Sequence, residues 1–492
     1  MGLTIEVKIA HKSHNYGDKT ESKFYRPIAL LPVFSKILEK FISKWMNNHM
    51  ETNKLWSDRQ HGYRQKRSTS TALLQLQEDI LTRFEEGHDV AVSSYDSSAA
   101  FDTLTHKILL DKLKLYGCSD HVIQWFTSYL SDRWQYCEIG GKKSTMKRIL
   151  QGVFQGSVLG PLLYILYVNC ISILQDDFTK LGMYADDISA ATKLTKNKYE
   201  NRVRISVMGA KLQRFMDSHH LKFNSEKTNL IVKTRGVNNT HSSLNLKMGD
   251  KVIEQQDTVK ILGVVIGRDE RYREYLVNGK KSVLQFLTTR HNMLKMLSKY
   301  ADLKTRKALA EGLCLSKISY CISVWGGTTE DVLQKFHVKL NDIIRTVFGV
   351  GRNRFHSLMP MYMSLKWLTL RQTLEYFDKI NLQNVIANRT PLDLAEKFDQ
   401  DVTHTYGTRG SSQVYRLNTK TTSTNAARAR GFICRSASLY QRLPNLLTES
   451  KFLPRDAFKD WCRADIGGWD PKPETTSVLE YLQSLKDAGG MF

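Results

Sequence analysis

The stretch of sequence that decides the fold is residues 183–190, MYADDISA. Apolar residues flank a Tyr-Ala-Asp-Asp centre, and this pattern predicts two short strands joined by a tight hairpin. Upstream, residues 89–96 alternate in polarity and end in Asp96, which predicts a half-buried strand. Adjacent residues on a strand point to opposite faces, so Asp186 and Asp187 cannot serve equally.

These three carboxylates suit a hard divalent cation, because Mg²⁺ prefers oxygen ligands. Transfer of a nucleotide to a 3′-hydroxyl uses two such ions roughly 3.5–4 Å apart, one for the hydroxyl and one for the leaving pyrophosphate. We expect Asp96 and Asp186 to share the metal ions, with Asp187 as an accessory ligand. An Asp-Asp pair by itself is usually a solvated turn, so this assignment depends on the surrounding sequence.

Composition narrows the class of partner. The chain has 492 residues, with 72 Lys and Arg against 49 Asp and Glu, and a formal net charge of +23. A polyanion relieves self-repulsion of this size, so nucleic acid is the leading partner and a merely basic globular protein is the alternative. The sequence shows no basic amphipathic helix with a clean apolar face, no signal peptide, and no apolar run longer than 158–174. We therefore expect no membrane partner.

The seven cysteines indicate an intracellular protein. They are scattered and form no Cys-x-x-Cys pair, which favours reduced structural thiols over a zinc site or a disulfide framework. We expect the protein in the nucleus, the cytoplasm or both.

Hydrophobic periodicity predicts an α+β fold. Segments with helical spacing alternate with segments that alternate like strands, and from about residue 280 the spacing is almost wholly helical. The predicted helices are 33–50, 69–84, 121–130 and 203–218, and further strands are predicted near 230–232 and 259–266.

The C-terminal part divides at a polar stretch. Residues 401–430 are rich in Thr, Ser, Asn and Arg, which predicts a linker or an extended basic loop. A small unit is predicted after it, anchored by Phe432, Leu439, Tyr440, Leu443, Phe458 and Trp461.

The order of seven motifs is more specific than any one of them. They are YRPIALLP from Tyr25, HGYRQKRST from His61, YDSSAAFD from Tyr95, QGVFQGSVLGP from Gln151, YADD from Tyr184, LKFNSEKT from Leu221 and VKILGV from Val259. Over residues 20–270 this order resembles the reverse transcriptases of non-LTR retrotransposons of the LINE type, and jockey-like elements in particular.

The resemblance implies a right-hand polymerase with fingers, palm and thumb and an antiparallel palm sheet. We expect incomplete fingers in 1–88, the palm in 89–270, a helical thumb or connection in 271–400, and a basic linker with a small C-terminal unit in 401–492. The implied activity is RNA-directed DNA polymerisation, which adds deoxynucleoside triphosphates to a DNA primer on an RNA template. Two Mg²⁺ ions are the implied cofactors, with Mn²⁺ as a substitute.

The resemblance also assigns roles to residues near the incoming nucleotide. Phe101 lies five positions after Asp96, where the family places an aromatic gate against a 2′-hydroxyl; an ordinary core Phe is the alternative. Gln155 and Gly156 match the motif that packs on the nascent base pair, where glycine lets the backbone approach closely. Lys227 matches a position that donates a proton to pyrophosphate, with a solvated turn lysine as the alternative.

Several cations match finger residues that grip the triphosphate, a task that suits the forked guanidinium of arginine. They are Arg64 and, on weaker grounds, Arg26, Lys66 and Arg67. The basic region after residue 280 is expected to contact the phosphates of the primer–template duplex, which is recognised by shape. Candidate contacts are Lys280, Lys281, Arg416, Lys420, Arg428 and Arg430, and a solvated charged face is the alternative for each.

Two positions depart from the family pattern. Phe154 stands where the family has Pro before Gln-Gly, and it is expected to place a bulky ring beside the nucleotide site. Ser97 stands where an apolar residue commonly follows the catalytic Asp. Either change favours an alternative in which the chain is a catalytically impaired remnant that only binds nucleic acid. An RNA-dependent RNA polymerase, a further alternative, is disfavoured by Phe101.

About 20 residues precede the Tyr-Arg-Pro motif, whereas full-length elements carry an endonuclease domain ahead of it. We expect the chain to be a fragment or a truncated reading frame, which would need an endonuclease-bearing partner to nick target DNA.

Overall fold

The computed structural model describes most of the chain. The described residues are 4–11, 25–98, 101–139, 141–224, 226–235, 244–249, 251–352, 358–397 and 431–442, together with Lys459, Cys462 and Ile466. They form two compact units. The first comprises Met1–Gln65, Val92–Leu230 and Ser243–Gln255, and the second comprises Lys66–Ala91, Ile231–Ser242 and Gln256–Phe492.

The strands alternate with helices along the first half of the chain, as the periodicity predicts. The strands are β1 (Thr4–His11), β2 (Tyr25–Leu30), β3 (Val90–Ser98), β4 (Arg133–Ile139), β5 (Lys142–Lys143), β6 (Lys147–Ile149), β7 (Thr179–Tyr184), β8 (Asp187–Lys193), β9 (Lys222–Phe223), β10 (Asn229–Lys233), β11 (Asn245–Met248), β12 (Lys251–Gln256), β13 (Val259–Ile261) and β14 (Val264–Ile266).

Helices dominate the second half. The helices are α1 (Val33–Thr52), α2 (Thr69–Glu85), α3 (His106–Leu115), α4 (Asp120–Leu130), α5 (Leu159–Val168), α6 (Lys198–Ser218), α7 (Val283–Ser298), α8 (Leu303–Ala310), α9 (Ser316–Ser319), α10 (Ile322–Trp325), α11 (Glu330–Phe348), α12 (Met359–Leu365), α13 (Leu370–Asn388), α14 (Leu392–Ala395) and α15 (Phe432–Arg442). The mixed helix-and-sheet class is confirmed.

Two sheets organise the first unit. One has the order β2-β1-β4-β5, with β6 also pairing β4, and β1 runs parallel to β4. The other has the order β11-β12-β10-β3-β8-β7, with β9 also pairing β3. In this second sheet β3 lies next to the β7–β8 hairpin, so the strand that carries Asp96 adjoins the turn that carries Asp186.

The apolar run 158–174 forms a buried helix, as predicted, but the α-helix gives way to a 3₁₀ turn before the run ends. α5 is buried almost throughout and is followed by a 3₁₀ turn over Asn169–Leu174. Asn169 begins this turn and is 5% exposed. Its amide donates to the carbonyl of Leu55 (2.8 Å), and its side-chain oxygen accepts from the N–H of Ser57 (2.9 Å). None of the described helices is both long and apolar enough to cross a membrane.

In α1 and α2, hydrophobic periodicity predicts the position of the helix in both cases but burial of the apolar side only in α2. Both helices lie where their spacing predicts, and the apolar residues of α2 at helical spacing, Leu73, Leu76, Ile80 and Leu81, are buried. The apolar residues of α1 at helical spacing are Val33, Ile37, Phe41, Trp45 and Met46. Of these only Met46 is buried, and Val33 and Phe41 are 71% and 68% exposed. A helical period shows that apolar residues share a side of a helix, but not that another element covers that side.

The predicted four-part division stays a prediction, and part of it lies outside the described residues. This applies to 401–430, including Arg416, Lys420, Arg428 and Arg430, and to the side chains of Tyr440, Leu443, Phe458 and Trp461. In α15, Phe432 and Leu439 are buried as expected. Arg435 of this helix donates to the buried Asp378 of α13 (3.0 Å), within the second unit.

The second unit contains a buried ion pair at the end of β10. Lys233, at the end of β10, is fully buried, and its ammonium pairs with Glu270, whose side chain is 3% exposed. The ammonium also donates to the carbonyls of Gly267 (3.0 Å) and Asp269 (3.1 Å), and Tyr272 donates its hydroxyl to Glu270 (3.1 Å). Each charge is therefore paired and hydrogen-bonded, which burial of a charge requires.

Removing one partner of this pair should destabilise the second unit strongly. We predict that Lys233→Met lowers the free energy of unfolding by about 3–5 kcal/mol, because it leaves the Glu270 carboxylate buried and unpaired. Urea unfolding measures the change. Lys233→Met with Glu270→Gln should cost less, since no buried charge remains.

Arg268→Met is the matched control. Arg268 and Asp257 form an ion pair whose side chains are 49% and 80% exposed, and an exposed pair contributes about 0–1 kcal/mol. Equal losses in Lys233→Met and Arg268→Met would contradict the role given to the buried pair.

Candidate active site

The turn between β7 and β8 carries the carboxylates. The two strands are antiparallel, and their last register pair is Tyr184 with Asp187. Ala185 and Asp186 therefore form a two-residue loop, and the predicted hairpin is confirmed. Ala185 has φ +56°. A positive φ at the first loop position is the type II′ pattern, which usually places glycine there.

Asp96 lies near the end of β3, beside this turn. The carbonyl of Asp96 accepts from the N–H of Asn224 (2.8 Å), and the next residue, Ser97, pairs with Phe223 of β9. The Ser97 hydroxyl also donates to the carbonyl of Asp186 (3.4 Å). Ser97, which departs from the family pattern, thus links β3, the strand of Asp96, to the loop that contains Asp186.

Lys227 meets Asp96 directly. Its ammonium forms a short ion pair with the Asp96 carboxylate, although the lysine side chain is 58% exposed. A turn built on Asn224 places it there: the Asn224 carbonyl accepts from the N–H of Lys227 (3.0 Å) and from the hydroxyl of Thr228 (3.2 Å). Because the Asn224 N–H also donates to the main-chain carbonyl of Asp96, one residue is hydrogen-bonded to the backbone of both charged residues.

The three carboxylates act on each other electrostatically. Burial, followed by the charges of Asp186 and Asp96, raises the pKa of Asp187 to about 6, while Lys227 lowers it. Burial is also the largest cause that raises the pKa of Tyr164, and the charges of all three aspartates add to it. The three predicted aspartates therefore share one environment, next to the Tyr164 ring.

The chemistry of this group fits a hard divalent cation, because carboxylate oxygens are its preferred ligands and its charge relieves their repulsion. Among the described residues, however, no three His, Cys, Asp or Glu side chains are arranged around a single point as a metal site would be. In this state Asp96 has the Lys227 ammonium as its cationic partner.

Phe101 and the Gln-Gly motif lie on two loops that are tied together. The N–H of Val153 donates to the carbonyl of Phe101 (2.7 Å), and the Gln155 amide donates to both oxygens of Asp102 (2.9 Å each). The Phe101 ring is half-buried and packs on Tyr164, with ring centroids 5.1 Å apart. Through Tyr164, the predicted gate adjoins the carboxylates.

Two glycines lie so close to neighbouring backbone that a side chain would not fit easily at either position. Gly152 has φ +84°, and a Cβ there would lie 2.7 Å from the carbonyl oxygen of Asp102. Gly156 has φ +106°, and its Cβ would lie 3.1 Å from the carbonyl oxygen of Ala29. Ala29 also donates its N–H to the carbonyl of Gln155 (2.7 Å), so β2 is held against the Gln-Gly motif.

The Phe154 ring is half-buried and packs against Ala29 of β2, against which Cys137 of β4 also packs. It also meets Tyr129 edge-on, with centroids 6.5 Å apart. With Asp102, Gln155 and neighbouring residues it lines a cavity of about 280 Å³. The ring thus fills apolar space on the β2 and β4 side of the motif, in addition to lining the cavity.

The structure gives each predicted triphosphate ligand its own local setting. Arg64 is buried; its guanidinium binds Glu51 through two nitrogens (3.1 and 2.9 Å) and donates to the carbonyl of Ser57 (2.7 Å). The backbone of Arg26 lies in β2, and its side chain is outside the described part of the structure. Lys66 belongs to the second unit, where its carbonyl accepts from Asn384 (2.8 Å).

Three residues of the site were not singled out from the sequence. They are Gln60, Tyr164 and Asn224, of which Gln60 and Asn224 hydrogen-bond the segments that carry the aspartates and Tyr164 packs beside them. Asn224 lies within a quoted motif, three positions before Lys227, and Gln60 directly precedes another motif. Tyr164 follows the helical spacing of a buried segment, and no local pattern marks it.

Comparison with known proteins gives a consistent result. A family model described as reverse transcriptase (RNA-dependent DNA polymerase) matches residues 14–266. The probable RNA-directed DNA polymerase from transposon BS of Drosophila melanogaster is 25% identical over 401 residues, which cover 78% of this chain and 43% of that protein. The RNA-directed DNA polymerase from mobile element jockey of the same organism is 23% identical over 337 residues, which cover 67% of this chain and 36% of that protein. The chain thus spans less than half the length of these curated relatives.

Among solved structures, apo telomerase from Candida tropicalis is similar with a TM-score of 0.39 and 12% identity, over 80% of this chain and 68% of that one. A likeness at this level bears on neither the fold nor the function.

The raised pKa of Asp187 predicts a stability effect with a definite sign. The carboxyl titrates near 6 when folded and near 3.8 when unfolded, so the folded state loses stability as the pH rises from about 4 to about 6. Asp187→Asn removes this loss. We predict that the variant is more stable above pH 6, by at most about 2–3 kcal/mol, and equal to wild type below pH 4. Urea unfolding in EDTA at pH 7.5 and pH 3.5 measures it.

Asp176→Asn should change stability in the opposite direction. Burial raises the pKa of Asp176, but hydrogen bonds from Lys211 and Thr179 outweigh this, so its net pKa is lowered. Removing that carboxylate should therefore destabilise the protein at neutral pH. A loss of stability in both variants at pH 7.5 would contradict the mutual repulsion assigned to Asp187.

Proposed function

Because the chain belongs to the reverse transcriptase (RNA-dependent DNA polymerase) family, we propose that it is the polymerase of a non-LTR retrotransposon. It adds deoxynucleoside triphosphates to the 3′-end of a DNA primer on an RNA template. One observation carries the proposal: within the matched region, Asp96, Asp186 and Asp187 lie in one environment, where their charges act on each other and on Tyr164.

Reverse transcriptases as a family depend on a divalent metal. We propose two Mg²⁺ ions here, replaceable by Mn²⁺, with Asp96 and Asp186 as the shared ligands and Asp187 as an accessory. When bound, such ions supply Lewis acidity for the attacking hydroxyl and the leaving pyrophosphate. The support in this chain is the chemistry of the donors: they are hard oxygen ligands, and burial, followed by the charges of Asp186 and Asp96, raises the pKa of Asp187.

Lys227 is proposed to donate a proton to the leaving pyrophosphate. Its ammonium is mostly exposed yet already pairs with a carboxylate of the site, Asp96. A lysine on a flexible stem can turn from a carboxylate to a phosphate without a change of backbone. Its position in the Asn224 turn keeps it within reach of both.

Phe101 is proposed as the gate that excludes ribonucleotides, and Gln155 with Gly156 as the surface under the nascent base pair. The support is local. Phe101 packs on Tyr164 beside the aspartates, and its loop is hydrogen-bonded to the Gln155 loop. The ring contact and the fixed loop together favour one position for the ring, in which it would oppose a 2′-hydroxyl.

Contacts to the triphosphate are proposed for Arg26, Arg64 and Lys66. Arg64 pairs with Glu51 in this state, so it would reach a phosphate only by exchanging that partner. Lys280 and Lys281 are exposed in the second unit and are proposed to bind the phosphates of the RNA–DNA duplex. An endonuclease-bearing partner is proposed for nicking target DNA.

Incorporation of deoxynucleotides tests the proposal directly. The purified chain, given poly(A), oligo(dT), dTTP and Mg²⁺, should extend the primer, and Asp186→Ala should reduce extension by at least about 1,000-fold, because a metal ligand is lost. Asp217→Ala, which removes an exposed carboxylate of α6, should remain active. Wild-type extension no greater than that of Asp186→Ala would refute the polymerase.

Selection of the sugar tests the gate separately. Phe101→Val should raise the use of rTTP relative to dTTP by roughly 10–100-fold, since a smaller side chain leaves room for the 2′-hydroxyl and a single contact of this kind is worth about 1–3 kcal/mol. The ratio of kcat/KM for the two nucleotides is the measurement. Phe178→Val, at a half-exposed phenylalanine before β7, should leave the ratio unchanged; an unchanged ratio in Phe101→Val would instead mark Phe101 as an ordinary core residue.

A further inference from the structure

The segment Arg59–Gly62 runs alongside the end of β7. The N–H of Met183 donates to the carbonyl of Arg59 (2.8 Å), and the N–H of His61 donates to the carbonyl of Met183 (2.8 Å). Gln60 and Met183 form a parallel bridge. The segment therefore adds a short stretch of pairing at the point where β7 enters the carboxylate turn.

Gln60 extends this pairing into the turn itself. Its side chain is fully buried, and its amide oxygen accepts two main-chain hydrogens, one from Gly62 (2.8 Å) and one from Ala185 (3.0 Å). Both partners are donors, so the orientation of the amide is determined. A single oxygen atom thus links the segment to the loop residue that precedes Asp186.

The turn requires such a link because Ala185 is strained. Its φ of +56° lies in the left-handed region, which costs a non-glycine residue about 1–2 kcal/mol. Within a two-residue loop the ladder offers the Ala185 N–H no partner, and Gln60 supplies one. The interaction therefore favours the conformation of the turn that carries Asp186 in its loop and Asp187 at the start of β8.

Gly62 brings the two chains together. A Cβ at this position would lie 2.3 Å from the nitrogen of Ala185, closer than any side chain allows. The next residue, Tyr63, is near the carboxylates, since burial and then the charge of Asp186 raise its pKa. The backbone of Arg59–Gly62 therefore lies directly against the backbone of the turn.

The Gln60 amide nitrogen is buried and has no hydrogen-bond partner among the described residues. An unpaired buried donor costs about 1–3 kcal/mol. An apolar side chain of similar size would fill the same space without that cost. The glutamine is therefore better explained by the two hydrogen bonds that its oxygen accepts.

We propose that Gln60 is a positioning residue: it holds Ala185 in the left-handed conformation and thereby sets the placement of Asp186 and Asp187 relative to Asp96. This inference rests on the proposed polymerase function. Gln60 touches neither substrate nor the reacting atoms, and it acts through the main chain of the turn.

Gln60→Met removes the acceptor at similar volume, and Gln60→Glu keeps it, since one carboxyl oxygen accepts in either protonation state. Misplacement of reacting groups by 1 Å can cost on the order of 100-fold. We expect Gln60→Met to lower kcat roughly 30–100-fold while KM for dTTP and the Kd for primer–template change by less than about threefold. Gln60→Glu should retain kcat within about fivefold.

Gln75→Met is the matched control, a buried glutamine of α2 whose amide donates to Asp393 in the second unit. It should leave kcat unchanged even if it lowers Tm. Should Gln60→Met fail to fold, Gln60→Asn serves instead, because the shorter side chain withdraws the oxygen while keeping its polarity.

Mn²⁺ affinity, measured by EPR without turnover, separates this proposal from the polymerase function. Gln60→Met should bind Mn²⁺ about 5–10-fold more weakly than wild type, and Gln60→Glu at least as tightly. If wild type binds Mn²⁺ but extends no primer, the polymerase proposal fails and the Mn²⁺ affinities alone decide the role of Gln60. Gln60→Met that folds, with Mn²⁺ affinity and kcat within twofold of wild type, would overturn the positioning role.

Discussion

Repulsion among Asp96, Asp186 and Asp187 is the constraint on which the rest of the first unit depends. The three carboxylates come from β3 and from the β7–β8 turn, and their charges, together with burial, raise the pKa of Asp187 to about 6. A chain that holds like charges together must oppose their separation elsewhere. Here the opposing interactions are the pairing of β3 with β8, the ammonium of Lys227 and the hydrogen bond from Ala185 to Gln60.

The sequence predicted the features of this site that are local in the chain. Alternation over residues 89–96 and the apolar flanks of the Tyr-Ala-Asp-Asp centre correspond to β3, β7 and β8, because a strand period of two is visible in a few residues. The order of the motifs predicted the family, and the match over residues 14–266 confirms it. Lys227 was singled out from its motif, and the structure places it on Asp96.

Contacts between a side chain and a distant backbone were not predictable. Gln60 and Ala185 are 125 positions apart, and no periodicity relates them. Arg64 was singled out from its motif as a phosphate ligand, which stays a prediction, but its pairing with Glu51 of α1 was not predicted from the sequence. The contacts of the two residues that depart from the family pattern were likewise not predictable: Ser97 hydrogen-bonds the Asp186 loop, and Phe154 packs against Ala29.

The pairing of Lys227 with Asp96 has a consequence for the order of events at the site. The Lys227 ammonium already serves as a counter-ion of Asp96, so under the proposed function a divalent cation held by Asp96 would take the place of that ammonium. The lysine side chain is exposed enough to turn toward an anion once it is displaced. Cation binding and phosphate capture would then be coupled as an ion exchange at one carboxylate.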